Sequence, residues 1–224
     1  MDDLAVLTRM RIWLPDAPGV LGAVAAEIGG VKGNVVGLEV LEREAGVAID
    51  EFVVELPDDP DAVDAACRAV RNVSGAGVEE VTTLSGEQAP DREGAVLAAT
   101  ADILGTATPV AGRDALCSSL RSLFGLAWLA VADEGLEGFV EVHGDAPTAR
   151  WVAAFAEGAR SGADPVRDTL RSGVFVEALP GTGLLVCGGR AAAIRRRERN
   201  EISVLVTVAS RFIRALGGTL GPGS

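Results

Sequence analysis

Asp16-Ala17-Pro18-Gly19-Val20-Leu21 sets an acid, a proline and a glycine at the head of an apolar helical stripe. Proline and glycine here predict a helix start whose first backbone N–H groups lack intrahelical partners. Those groups, with the positive end of the helix dipole, suit a small anion, and an amino-acid carboxylate is the obvious candidate. Gly19, Val20 and Leu21 are the predicted donors. Gly19 has no Cβ to hold a ligand off the backbone, and Pro18 shapes the loop. Asp16 would accept the ligand's ammonium group or cap the helix. Asn34, between Gly33 and Val35, carries both a donor and an acceptor, as the zwitterionic end of an amino acid requires. The plainer alternative is that Pro18-Gly19 only shapes a helix start and Asn34 only turns the chain.

Other residues capable of chemistry are sparse. The single histidine, His143, leaves few metal sites or triads open. Alternation puts Phe139, Glu141 and His143 on one strand face, and Phe175, Glu177 and Leu179 on another. Glu141 and Glu177 would do proton chemistry only if a cleft brought them together. Cys67, Cys117 and Cys187 are odd in number, far apart and set in apolar stretches. They read as small core residues rather than a disulfide framework. Arg195-Arg196-Arg197-Glu198-Arg199 is the one basic cluster and reads as a solvated helix face. Gly181-Thr182-Gly183 and Gly188-Gly189 lack the spacing of a phosphate loop. No catalytic residue, metal or cofactor is expected.

The elements that position these residues follow from periodicity. Thr8, Met10, Ile12 and Leu14 alternate with Arg9, Arg11 and Trp13, as in a half-buried strand. Val20, Leu21, Val24, Ile28 and Val31 follow at helical spacing, ended by Gly29, Gly30 and Gly33. Val36, Leu38 and Val40 predict a second strand, turned at Glu44-Ala45-Gly46. A third strand starts with Val47 and Ile49 and continues with Phe52, Val54 and Leu56 on the opposite parity, which predicts a bulge at Asp50-Glu51. Asp58-Asp59-Pro60 opens a second helix with Val63, Ala66, Cys67 and Val70 as its stripe, and a fourth strand covers 78–84. Strand, helix, strand, strand, helix, strand is the ferredoxin-like βαββαβ order. Trp13 on the uncovered sheet face implies a packing partner there, the second domain or another subunit.

Residues 87–93 then read as a linker and 94–216 as a second α+β domain. Helices over 94–108 and 113–124 precede a hairpin (128–132 and 139–142) and a helix over 148–159. A second hairpin (173–179 and 183–188) and a long closing helix over 195–216 follow. Residues 217–224 read as a flexible tail.

The 224 residues, 48% hydrophobic, suffice for two domains, and the formal net charge is −12. Such acidity disfavours nucleic acid and anionic membrane. No long uncharged apolar run predicts a membrane span, the first residues carry no secretory pattern, and the expected location is the cytoplasm.

Residues 8–84 resemble an ACT domain, the small-molecule regulatory module of amino-acid metabolism. The resemblance rests on Asp16 to Leu21, the helix that follows, Gly33-Asn34-Val35, and the strand Asp50 to Leu56. It implies an amino-acid ligand held at a subunit interface, between this loop and the Asn34 strand of a partner copy, in a homodimer. The second domain resembles a GAF-like sensory domain, chiefly in its closing helix with Glu201 at the start of the stripe. It lacks the cyclic-nucleotide motif and any cysteine-histidine pair for a bilin. The expectation is an α+β, two-domain, non-catalytic regulatory protein (1–86 binding a small amino acid, 94–216 sensory), read out by a separate output protein. The alternative is a structural oligomerisation or docking module without a small-molecule ligand.

Overall fold

The computed structural model describes residues 5–84, 92–160 and 173–217. The chain divides into two compact units, Met1–Pro90 and Asp91–Ser224. The expected linker and tail lie mostly outside the described residues, although Arg92 and Glu93 open a helix.

The first unit runs β1 (Ala5–Pro15), α1 (Val20–Gly30), β2 (Asn34–Glu44), β3 (Val47–Pro57), α2 (Ala62–Asn72) and β4 (Gly77–Thr83). Its antiparallel sheet has the order β2-β3-β1-β4, which is the ferredoxin-like topology. Met10, Ile12 and Leu14 of β1 pack with Phe52, Val54 and Leu56 of β3 beneath Val24 and Ile28 of α1 and Ala66 and Val70 of α2. Burying that apolar face is the main gain that fixes the strand register.

The expected bulge at Asp50-Glu51 does not form. β3 pairs with β1 without a shift from Ala5↔Pro57 to Pro15↔Val47. The irregularities lie in β2, between Val35 and Gly37 and between Val40 and Glu42. Even-numbered residues of β3 therefore face inward throughout, and Asp50 is carried into the core face opposite Ile12. Apolar Val47 and Ile49 suggested a parity change because the sequence gives no sign that a carboxylate is tolerated inside.

The opposite face carries Arg9, Arg11 and Trp13, as alternation predicts. Arg11 is nonetheless only 3% exposed. Its Nη2 donates to Glu51 Oε2 at 3.0 Å and its Nη1 stands 3.8 Å from Glu80. Trp13 stays 43% exposed, with its ring so close over Gly77 that any side chain there would overlap it.

The second unit runs α3 (Arg92–Leu104), α4 (Pro109–Phe124), β5 (Trp128–Asp133), β6 (Phe139–Gly144), α5 (Ala149–Arg160), β7 (Val174–Leu179), β8 (Leu184–Gly189) and α6 (Arg196–Ala215). Helix α4 starts earlier than periodicity suggests. Thr108 accepts a hydrogen bond from the Ala111 N–H at 3.2 Å and Pro109 opens the first turn, a cap that apolar spacing does not reveal. The sheet order is β6-β5-β8-β7, antiparallel throughout. Leu129, Val131, Phe175, Leu179, Leu184 and Val186 form one face, packed with Leu116 and Leu120 of α4 and Ile202, Leu205, Val206 and Ala209 of α6. Trp128, Ala130 and Ala132 form the other, against Val152 and Ala156 of α5.

The basic cluster is not a solvated face. Glu198, 1% exposed, accepts from Arg190 Nη2 at 2.7 and 2.9 Å and from the Arg195 N–H at 2.8 Å. Arg199 donates to the Ile194 and Val174 carbonyls, and Arg197 pairs with Glu201. Arginine here ties the start of α6 to the sheet and loops. No described helix is long and apolar enough to cross a membrane.

Candidate functional site

A cleft of about 370 Å³ opens at the N-terminus of α1, lined by Asp16, Ala17, Pro18, Gly19 and Leu21 from the loop and helix start. Val40 and Arg43 of β2 and Ala48 and Asp50 of β3 close its other side. Gly19 is the N-cap residue with φ 86° and ψ −14°, and no side chain among the described residues caps the helix. That left-handed backbone is the conformation glycine adopts at no steric cost. The Val20 N–H makes a long contact of 3.4 Å to the Ala17 carbonyl, and the first helical bond runs from Ala23 to Gly19 at 3.0 Å. The amides of Gly19, Leu21 and Gly22 have no backbone acceptor among the described residues. Three donors at a dipole's positive end are the equipment for a carboxylate.

Asp16 does not cap the helix. Arg43 takes it instead, with Nε donating to Oδ2 at 3.0 Å and Nη2 to Oδ1 at 2.6 Å. The partnership raises the Arg43 guanidinium further above its ordinary value, through its hydrogen bond to Asp16 first. The other carboxylate of the cleft is Asp50. It is 1% exposed, and neither oxygen has a hydrogen-bond partner among the described residues. Burial pushes it up from 3.8 to about 6, against a lowering by the charge of Arg43. A buried acid without a hydrogen-bond partner costs free energy, which the charge of Arg43 offsets only in part. A cation bound beside it would offset the rest.

The structure places the predicted residues unequally. Asp16, Pro18, Gly19 and Leu21 lie in the cleft. Val20 is half-buried and packs on the core. Asn34 and Val35 are not brought to the cleft within one chain. Asn34 opens β2 opposite Glu55, near the far end of β3 from Asp50, and its Nδ2 donates to Glu55 Oε2 at 2.9 Å. Val35 packs on the core. Arg43 and Asp50 were not among the sequence candidates. The one available signal was the wrong-parity acid in an apolar strand, which read as a bulge.

In the second unit, Glu141 and Glu177 do not meet. They share a sheet face, but β6 and β7 are opposite edge strands with Val131 and Val186 between them. Strand spacing sets them about 14 Å apart. Phe139 leaves the face of Glu141 and His143, because a register shift in the β5–β6 pair aligns it with Ala132 on the α5 side. Glu177 lines a cavity of about 600 Å³ with Arg199, Phe155, Phe175 and Leu185. Burial raises its carboxyl, with Arg199 opposing. The three cysteines are free and buried, and burial pushes the Cys117 and Cys187 thiols up to about 12. Among the described residues, Cys117, Glu141 and His143 bring together three side chains of types able to ligate a metal.

No family model matches the chain, and no curated protein matches it. Among solved structures, the crystal structure of the ACT domain from GTP pyrophosphokinase of Chlorobium tepidum is 19% identical, with a TM-score of 0.28. The match covers 36% of this chain and 99% of that one. The solution structure of the same domain is 18% identical, covering 39% and 94%, with a TM-score of 0.29. The crystal structure of an unknown protein from Galdieria sulphuraria is 14% identical, covering 95% and 94%, with a TM-score of 0.30. ACT domains thus occur among the structural neighbours of part of this chain. Likenesses this distant carry no functional argument, and the α+β architecture stands on the strand order itself.

Proposed function

We propose that the first unit is an ACT-type regulatory module that binds a small amino acid in the cleft at the start of α1 and does no chemistry on it. The ligand carboxylate takes the amides of Gly19, Leu21 and Gly22. Its ammonium group pairs with Asp50. The observation that carries this reading is Asp50 itself, a buried acid without a hydrogen-bond partner among the described residues, in the same cleft as the open helix start. One end of the cleft is built for a negative group and the other for a positive one, which is the charge pattern of an α-amino acid. Arg43, by occupying Asp16, keeps a second acid from competing for the ammonium group.

A second copy of the chain completes the arrangement. Leu21, Val36, Leu38 and Val40 lie exposed on α1 and on β2, an edge strand next to the cleft. An apolar edge strand is an invitation to pair. A partner copy placed there would bring its own Asn34 strand toward the ligand. Ligand binding then stabilises the pair by mass action. The second unit, read as GAF-like, would pass the change to a separate output protein. The same exposed strip also supports the rival reading, a docking module that needs no ligand.

Isothermal calorimetry against the proteinogenic amino acids at millimolar concentration tests the proposal. One or a few side-chain types should bind, and Asp50→Ala should abolish the heat while the circular dichroism spectrum is kept. Silence across the whole set, with the dimer intact, would leave the docking reading alone.

A further inference from the structure

Cys117, Glu141 and His143 bring a sulfur, a carboxylate oxygen and an imidazole nitrogen within 4.8 Å of one another. Two elements supply them. Cys117 lies on α4, four residues after Arg113 and so on the same helix face. Glu141 and His143 lie two apart on β6, beside Val131 and Leu129, on the sheet face that α4 covers. Cys117 is buried in the core. Glu141 and His143 are half-buried, on a strand that forms the edge of its sheet. The cluster therefore has a floor in the core and a mouth at the sheet edge.

Its internal geometry is ordered. His143 Nε2 stands 2.6 Å from Glu141 Oε1. Arg113 Nε stands 2.9 Å from the other oxygen, Oε2. The guanidinium pairs with Oε2 and leaves Oε1 to the imidazole. A ligating carboxylate held from behind by a second group is the usual support of a metal centre.

We propose that Cys117 Sγ, His143 Nε2 and Glu141 Oε1 form a site for a divalent transition metal of zinc type, with a fourth position open to solvent. Donor chemistry selects the ion. Thiolate and imidazole favour zinc and its neighbours, whereas magnesium and calcium take oxygen ligands. Bonds of about 2.0–2.3 Å set donor atoms around a tetrahedral ion between roughly 3 and 4 Å apart. The donors lie within 4.8 Å of one another, so binding an ion opens the 2.6 Å His143–Glu141 hydrogen bond and draws the three groups to that common spacing. On binding, the Cys117 thiol proton passes to solvent as the sulfur–metal bond forms. Thiolate and carboxylate then balance the two positive charges of the ion. The ion clamps α4 to the edge strand β6.

The test uses the full chain, stripped of metal by a chelator and then titrated with Zn²⁺ against a chromophoric competitor, and with Co²⁺ alone. The expected result is one equivalent of Zn²⁺ per chain, release of a proton, and a thiolate-to-cobalt charge-transfer band with the visible bands of a tetrahedral ion. Loss of supporting groups commonly costs 10–100-fold in affinity, so His143→Gln, at a half-exposed position, should weaken Zn²⁺ by about that factor or more. The double variant Cys67→Ala, Cys187→Ala should bind as the parent does. Failure to take up Zn²⁺ at micromolar concentration, a cobalt spectrum without the thiolate band, or unchanged affinity in His143→Gln would each overturn the proposal.

Discussion

Arg43 holds Asp16 through two hydrogen bonds, of 3.0 and 2.6 Å, at the mouth of a cleft in which Asp50 has none among the described residues. Two acids of one cleft are thus set to different tasks. Asp16 is neutralised where it stands. Asp50 is desolvated and has no hydrogen-bond partner among the described residues.

Asp50 makes stability depend on pH. Its folded carboxyl titrates near 6 instead of 3.8, so between those values the folded chain keeps a proton that the unfolded chain has lost. The Asp50 contribution therefore lowers stability as pH rises from about 4 to about 6, and acidification through the same window restores it. Asp50→Asn should flatten this limb and raise stability at pH 7 by as much as about 3 kcal/mol. Urea denaturation at several pH values measures both effects. An unchanged pH profile in Asp50→Asn would show that the acid is solvated.

Ligand binding should carry the opposite signature. An ammonium group needs the ionised form of Asp50, so the proposed affinity should fall as pH drops below about 6. Calorimetry of the best ligand across pH 5 to 8 reads this directly. Affinity that improves on acidification would speak against an ammonium group at Asp50.

Gly19→Leu separates the cleft from the fold. A Cβ at Gly19 meets nothing within 4 Å, but φ is 86°, a conformation that costs a non-glycine residue about 1–3 kcal/mol. The variant should remain folded with a modest loss of stability, while its side chain obstructs the amides. Thermal-shift response to the ligand should vanish. A full response would place the ligand elsewhere.

Arg43→Ala should raise Asp50 further. It removes the Arg43 charge, which lowers Asp50, and frees Asp16, whose charge raises it. Carboxyl titration by NMR would show the shift, and a downward movement would contradict the assignment.

Glu198→Ala should be the most damaging of these variants. It leaves the Arg190 guanidinium and the Arg195 N–H without the buried carboxylate they share. Removing one partner of such a pair costs about 3–5 kcal/mol. The midpoint of urea denaturation, followed by tryptophan fluorescence, should fall accordingly. A loss under 1 kcal/mol would mean that water reaches Arg190.

The order of elements was legible in the chain because each amphipathic segment writes its own period. Alternation marked β1 through Met10, Ile12 and Leu14, and three-to-four spacing marked α1 and α6 through Val24, Ile28, Ile202 and Val206. Pro18 and Gly19 marked the loop, since φ preferences are local. Bulges were not legible. The extra residue between Val40 and Glu42 and the shift that parts Phe139 from Glu141 depend on how two strands pair, and neither strand records that alone.

What the sequence determined by itself was therefore the βαββαβ order and an open helix start at Gly19, because backbone sterics and hydrophobic period act over a few residues. Tertiary structure alone decided that Asp50 faces inward, that Arg43 reaches Asp16 from 27 residues away, and that α4 meets β6 at Cys117, Glu141 and His143. Burial and charge pairing are properties of neighbours in space, and the chain brings those neighbours together only when both sheets have closed their registers.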